Sequence, residues 1–269
     1  MTKIRLITSS ANEQVKQWKK LKTKKGRSQQ GALFIEGEHL IEEALNAKIP
    51  FLAVLLEQGK VEVMEPILRR FPEQVPVYEL VPTLFHRLVE TETPQGIAAV
   101  IRLPEWSPAS LFSPQKQEAT YLLLDAIQDP GNLGTIIRTA KAAGVDGILL
   151  GKGTVDPFNA KVVRAAMGSI FRIPLVQVDL ADALSMLNEQ GVTVVGTTPH
   201  AGVYHFDYSY PKRVAILLGN EGRGVNPDLL ARVDVEVKIP MPGQTESLNV
   251  SAVGAILLYE RVRQQYQHK

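Results

Sequence analysis

The sequence predicts an α/β protein in two parts, and three observations lead there. Short apolar runs of strand length alternate with segments of helical period through the 269-residue chain. In the second half apolar strands are separated by helices, the pattern of a mostly parallel sheet buried on both faces. Between the halves, Arg102-Leu103-Pro104-Glu105-Trp106-Ser107-Pro108 and Ser113-Pro114-Gln115-Lys116 carry three prolines and no period. Proline restricts itself and the residue before it, so residues 103–119 read as an extended linker. The expected parts are a smaller α/β domain over 1–102 and a larger one over 120–269.

In the first domain residues 10–25 read as a helix, Leu33–Glu36 as a strand and Glu38–Ala47 as a helix. Phe51–Leu56 reads as a strand, Val61–Arg70 as a helix, Val75–Tyr78 as extended, Thr83–Val89 as a helix and Ile97–Ile101 as the closing strand. In the second domain strands are expected at Tyr121–Leu124, Gly147–Leu150, Leu175–Val178, Thr193–Gly196, Val214–Leu218 and Val235–Ile239. Helices are expected at Leu133–Ala143, Asn159–Met167, Leu180–Glu189, Pro227–Ala231 and Ser247–Gln264.

Composition narrows the chemistry. The chain has no cysteine, which excludes disulfides, thiolate metal sites and a cysteine nucleophile. Its histidines, His39, His86, His200, His205 and His268, are scattered, so no metal centre is expected. No apolar run reaches the roughly 18 residues needed to cross a bilayer, and no secretory signal follows Met1, so a cytoplasmic protein is the simplest reading. Net charge is only +2, yet Lys16, Lys19, Lys20, Lys22, Lys24, Lys25 and Arg27 fall within twelve positions without an acid. Such a block attracts polyanions, RNA or DNA foremost; the plainer alternative is a solvated helix face.

Three polar segments follow apolar strands. They are Asn132-Leu133-Gly134-Thr135-Ile136-Ile137-Arg138, Gly219-Asn220-Glu221-Gly222-Arg223-Gly224, and Gln244-Thr245-Glu246-Ser247-Leu248-Asn249-Val250-Ser251. In parallel sheets ligands bind beyond the carboxyl ends of the strands, where all three segments fall. The small polar residues of the third can cap a helix, hold a ligand, or do both. None matches a dinucleotide Gly-x-Gly-x-x-Gly or a Walker A loop. Arg138 is a fixed cation suited to a phosphate, or a surface cation lying over its helix. The loops Leu217-Leu218-Gly219-Asn220 and Ile239-Pro240-Met241-Pro242-Gly243 are apolar and glycine-bearing, and suit a flat neutral ring such as adenine better than a triphosphate.

The same residues resemble the three motifs of the SpoU (TrmH-type) RNA ribose methyltransferases of the SPOUT superfamily. The first is Asn132-x-Gly134-x-x-x-Arg138-Thr139-Ala140; the second is Leu217-Leu218-Gly219-Asn220-Glu221-Gly222-x-Gly224. The third runs from Ile239-Pro240-Met241 to Ser247-Leu248-Asn249-Val250-Ser251, in matching order and spacing. Phe34-Ile35-Glu36-Gly37-Glu38-His39-Leu40 and Thr93-Pro94-Gln95-Gly96-Ile97 carry a weaker likeness to the family's N-terminal RNA substrate-binding module.

The resemblance implies S-adenosylmethionine as methyl donor, a ribose 2′-hydroxyl in RNA as acceptor, a homodimer with each site beside the partner subunit, and a deep trefoil knot, which chains ordinarily avoid. It implies catalytic roles for Arg138, Asn132, Glu221, Ser247 and Asn249. Arg138 would clamp the neighbouring phosphate, Asn132 would orient the ribose or Arg138, Glu221 would hold Arg138 or a substrate group, and Ser247 with Asn249 would close the site. Leu218, Gly219, Ile239, Met241, Ser247 and Leu248 would line the cofactor pocket, with Thr197 capping it. Lys19, Lys20, Lys24, Lys25 and Arg27, with Asn159, Lys161 and Arg164, are then the candidate RNA contacts. Large-subunit ribosomal RNA is favoured over transfer RNA. A non-catalytic RNA-binding protein and a doubly wound nucleotide-binding enzyme are the competing readings.

Overall fold

Phe51–Glu57 and Ile97–Arg102 are apolar runs long enough to be buried on both faces, and they form the middle of the first of two sheets. The computed structural model describes residues 4–107, 111, 116–243, 245 and 247–267. Of the expected linker, Pro108 and Ser113-Pro114-Gln115 lie outside the described residues, as do Gln244, Glu246 and His268. The chain forms two compact units. One is Met1–Pro104 with Phe158–Phe171, and the other is Glu105–Pro157 with Arg172–Lys269.

The first unit runs β1 (Arg5–Ile7), α1 (Glu13–Lys20), α2 (Lys24–Gln30), β2 (Ala32–Glu36), α3 (Glu38–Asn46), β3 (Phe51–Glu57), α4 (Glu65–Leu68), β4 (Val77–Leu80), α5 (Pro82–Leu88) and β5 (Ile97–Arg102). Its sheet has the order β1-β4-β3-β5-β2, with β1, β4 and β3 mutually parallel and β5 antiparallel to β3 and β2. Val15, Trp18, Leu21, Leu55, Leu80 and Phe85 pack into one core on this sheet.

Departures from the expected elements have local causes. The helix expected over residues 10–25 is two helices, because the chain turns at Leu21–Thr23 and Thr23 caps the second by accepting the Gly26 N–H at 3.1 Å. Pro66 and Pro76 lack an N–H, so α4 starts beside the first and pairing of β4 starts after the second. The three-residue β1 is too short for its period to show in the sequence.

The second unit carries β6 (Ala119–Leu124), α6 (Pro130–Ala142), β7 (Gly147–Leu150), β8 (Leu175–Gln177), α8 (Leu180–Glu189), β9 (Thr193–Thr197), β10 (Val203–Tyr204), β11 (Arg213–Leu218), α9 (Pro227–Leu230), β12 (Val235–Lys238) and α10 (Val250–Gln267). α7 (Ala160–Ala165) and the 3-10 turn Ser169–Phe171 belong to the first unit, where the turn meets α3. The second sheet is parallel throughout, in the order β10-β12-β9-β11-β6-β7-β8. β6 and β7 are buried along their full length. One face packs on α8 and α9 through Leu123, Leu149, Leu184, Leu187 and Leu229, and α6 packs against α10. The two-residue β10 is the one strand of this sheet missing from the expectation.

The turn between α1 and α2 leaves no room beside Gly26, where an added Cβ would lie 2.0 Å from the Lys20 carbonyl oxygen. Gly26→Ala is expected to destabilise the protein by about 1–3 kcal/mol, the usual range for overpacking. Denaturant titration of the two proteins checks this, and equal midpoints would show that the turn can widen freely.

Candidate active site

The site is assembled where the sheet's strands end. After β6 the backbone bends sharply: Ala126 takes a left-handed φ of 53°, a conformation that L residues adopt at a penalty. Its carbonyl accepts the Asn220 side-chain amide at 2.7 Å, which holds the bend against the loop after β11. Asp129 then caps α6 by accepting the Asn132 N–H at 2.8 Å, and Pro130 follows at the first helical position. The helix therefore begins three residues earlier than the apolar pattern indicates, and this places Asn132 in its first turn.

Glu221 binds these pieces together. Its Oε1 accepts the backbone N–H groups of Asp129 at 3.0 Å and Gln128 at 3.2 Å, and the Asn132 side-chain amide at 3.1 Å. Asn220 Nδ2 reaches its other oxygen at 3.3 Å. Burial pushes the Glu221 carboxyl upward, but the donors from Asp129, Asn132 and Gln128 outweigh it and hold the group below the ordinary carboxylate range. A carboxylate only accepts, so Asn132 must turn its NH2 to Glu221 and its carbonyl outward. That carbonyl accepts Asn249 Nδ2 at 2.9 Å. Asn249 is left with its own carbonyl, which accepts the Ser251 N–H at 2.8 Å and caps α10. The directed chain Asn249–Asn132–Glu221 thus joins one residue from each of the three polar segments.

Beside it lies an open cavity of about 540 Å³. The backbone and side chains of Gly219–Val225 form one wall, and Thr197, Ile239, Met241, Ser247 and Leu248 line the rest. The Thr197 hydroxyl donates to the Leu217 carbonyl at 3.1 Å, which fixes the end of β9 against β11. An added Cβ on Gly219 would lie 2.1 Å from the Gly224 carbonyl carbon and the Val225 nitrogen, so only glycine lets the loop fold back on itself. A cavity of this size falls in the usual ligand range of about 300–1,000 Å³. Its apolar walls, dense backbone and sparse charge fit a nucleoside-bearing cofactor with a small polar tail.

Comparison with known proteins bears on this arrangement. Residues 119–259 match the SpoU rRNA methylase family, and residues 12–99 match the MRM3-like substrate-binding domain. The chain belongs to the SpoU rRNA methylase family. The activity is that of the family, methylation of RNA at a ribose 2′-hydroxyl with S-adenosylmethionine as donor. The chain is 43% identical over 257 residues to RlmP of Bacillus subtilis, a 23S rRNA (guanosine(2553)-2′-O)-methyltransferase, covering 94% of this chain and 97% of that protein. An S-adenosylmethionine-bound rRNA methyltransferase from Sinorhizobium meliloti superposes with a TM-score of 0.84 at 33% identity, covering 97% of this chain and 98% of that one. AviRb of Streptomyces viridochromogenes with the same cofactor gives 0.83 at 28% identity, covering 95% and 98%.

Within this SpoU methylase the expected residues are distributed as follows. Thr197, Gly219, Ile239, Met241, Ser247 and Leu248 line the cavity. Leu218 does not: it is fully buried, and its Cδ1 lies 3.0 Å from where a Gly254 Cβ would stand, so it supports α10 from behind. Glu221 does not hold Arg138, since its oxygens are engaged by backbone and amide donors. Arg138 is exposed on α6, makes no hydrogen bond or ion pair among the described residues, and does not line the cavity. It follows Asn132 by six residues, about 9 Å along the helix axis and a third of a turn out of line. His200, Val225, Leu230, Val253 and Leu257 also line the cavity. Nothing in their local sequence separates them from ordinary loop and core residues.

Among the candidate RNA contacts, Lys20, Lys24, Lys25 and Lys161 are exposed and Lys19 is half-buried. Arg27 is a correction: it is buried, and its guanidinium donates to the Leu21 carbonyl at 2.8 Å, closing the turn between α1 and α2. Asn159 caps α7 through the Lys161 N–H at 2.9 Å, and Arg164 is shared between Glu36 at 3.2 Å and Glu90 at 3.5 Å.

Two outcomes follow from this geometry. Gly219→Ala should weaken S-adenosylmethionine binding more than tenfold by calorimetry; unchanged affinity would show that the loop is not a cofactor wall. The Glu221 carboxyl is held below the ordinary carboxylate range, so its contribution to stability is complete above the unfolded carboxylate pKa of about 4.3. It is lost only as pH falls through the lower folded value. Glu221→Gln should therefore lower the melting temperature at pH 7, with the difference from the parent closing only in that acidic window.

Proposed function

We propose that this chain methylates the ribose of a guanosine in large-subunit ribosomal RNA, in the cytoplasm, as a homodimer. The target class is supported by the 43% identity to RlmP over nearly the whole chain. The exposed block Lys20, Lys24 and Lys25 in the substrate-binding domain supports an extended RNA footprint. The dimer is supported by Arg138, which lies outside the cavity of its own chain and would be presented to a second copy. The trefoil knot is supported by the strand order, since β11 inserts between β9 and β6 before the chain returns past β9 to β12.

The observation that carries the mechanism is the Asn249–Asn132–Glu221 chain at the cavity edge. S-adenosylmethionine supplies a methyl already activated by its sulfonium; Thr197, Gly219, Ile239, Met241 and Leu248 would hold it. The protein must then orient a ribose hydroxyl and provide for its proton. Glu221 is a poor base, because its carboxylate is held ionised by several donors; it positions Asn132 and the strand-end loops. A guanidinium offers only N–H donors and no acceptor, so Arg138 is not the base. It instead binds the neighbouring phosphate, whose oxygen accepts the proton while the guanidinium stabilises the developing alkoxide.

The test is transfer of labelled methyl to total RNA from cells lacking the gene, followed by nucleoside analysis. A labelled 2′-O-methylguanosine at one position in 23S rRNA is the expected product; label in transfer RNA would move the target. Arg138→Ala should lower turnover by about 10²–10³-fold, as loss of a preorganised charge does, with cofactor affinity unchanged. Binding of RNA and cofactor without any transfer by the parent protein would point to a non-catalytic RNA-binding protein.

A further inference from the structure

A second cavity, of about 310 Å³, adjoins the cofactor cavity across the loop after β11. Asn220, Arg223, Gly224, Val225 and Pro227 line both. Its own residues are Asp125, Ala126 and Gln128 from the loop after β6, and Asn226 from the start of α9. β6 and β11 are hydrogen-bonded neighbours, yet the chain leaves β6 toward β7 on one side and leaves β11 toward β12 on the other. Such a divergence opens a crevice at the carboxyl ends of the strands, the place where parallel sheets bind ligands. The cofactor cavity draws on β9, β11 and β12, so this crevice is left for another occupant.

The unused polar groups describe that occupant. Asp125 accepts the Asn226 N–H on Oδ2 at 2.8 Å, while its Oδ1 has no partner among the described residues. The Gln128 N–H goes to Glu221, but its side-chain amide is unpaired among the described residues. The Asn226 carbonyl caps α9 by accepting the Asp228 N–H at 2.9 Å, leaving its NH2 to donate. The Arg223 guanidinium has no partner among the described residues. The crevice therefore offers a carboxylate acceptor flanked by amide and guanidinium donors. Guanine is the one common base with two adjacent N–H donors, N1–H and the 2-amino group, beside a carbonyl acceptor. Uracil has a single ring N–H, and adenine and cytosine have only an exocyclic amine beside acceptors.

We propose that this crevice receives the guanine of the acceptor nucleotide. Asp125 accepts from N1–H and the 2-amino group, and Gln128 donates to O6. The inference rests on the ribose-methylation reading and adds the residues that choose the base. Gln128 is the link between the two: its side chain faces the base while its backbone N–H anchors Glu221, so base recognition and the Asn132 network share one short loop.

The test uses the full-length protein and RNA fragments spanning the mapped acceptor, carrying guanosine, inosine or adenosine at that position. For the parent protein, inosine, which lacks the 2-amino group, should lower kcat/KM by about 10- to 100-fold, the worth of a good bidentate base contact. Asp125→Asn keeps the carbonyl for Asn226 but should reduce kcat/KM for guanosine by a similar factor, bringing the guanosine-to-inosine ratio near one with cofactor affinity unchanged. An Asp125→Asn protein that binds cofactor and keeps the parent ratio overturns the proposal. If that variant fails to bind cofactor, Gln128→Leu decides. A drop for guanosine of about tenfold or more, at parental cofactor affinity, supports the assignment, and parental kcat/KM overturns it. A mapped acceptor other than guanosine removes the base assignment and leaves ribose methylation standing; absence of any 2′-O-methyl product removes the methylation reading itself.

Discussion

The arrangement of the site depends on one buttressed carboxylate. Glu221 comes from the loop after β11, yet its donors are the backbone after β6 and a side chain in the first turn of α6. Without that acceptor, the N–H groups of Gln128 and Asp129 would face one another's loop unpaired, and Asn132 would be free to flip. With it, the polarity of every amide downstream is fixed: Asn132 turns its carbonyl to Asn249, and Asn249 turns its own to α10. One anion therefore sets the orientation of three loops and the start of the final helix. The same engagement removes Glu221 from the list of bases, since an acceptor held by several donors has little affinity for a proton.

Close backbone approach is the second requirement. Gly219 lies so near residues 224 and 225 that no side chain fits, and the turn at Ala126 is held left-handed with its carbonyl bonded to Asn220. Both features tighten the neighbouring ends of β6 and β11. They make a thin partition with the larger cavity on one side and the polar crevice of Asp125 and Gln128 on the other. With the two reactants placed as proposed, adjoining walls of this kind would supply orientation before reaction.

In the first unit, cations serve opposite ends. Arg27 is folded into the turn between α1 and α2, while the lysines around it stay at the surface. A guanidinium can satisfy buried carbonyls from its planar fork and tolerates partial burial better than an ammonium, which is strongly hydrated. Arg164 is likewise taken by Glu36 and Glu90 and knits α7 to the first unit. The lysines of the block lose little by remaining hydrated, and most of them stay exposed.

The sequence by itself determined the class of fold, most of the strands and the three segments that converge on the site. Apolar strands in a parallel sheet announce themselves because their middle residues are buried on both faces, as along the whole of β6 and β7, and the glycines and amides of Asn132, Gly219 and Asn249 have few other uses after such strands. Tertiary structure alone decided what those residues touch. Glu221 was expected to hold Arg138 or a substrate group, and it serves backbone donors more than ninety positions away in sequence. Leu218 was expected in the cavity and instead faces Gly254. Arg27 belonged to a basic run and is buried. The small strands β1 and β10 exist only through the neighbours they pair with. Each of these turns on which partner is close in space, and a local pattern carries periodicity and composition but no distance between remote segments.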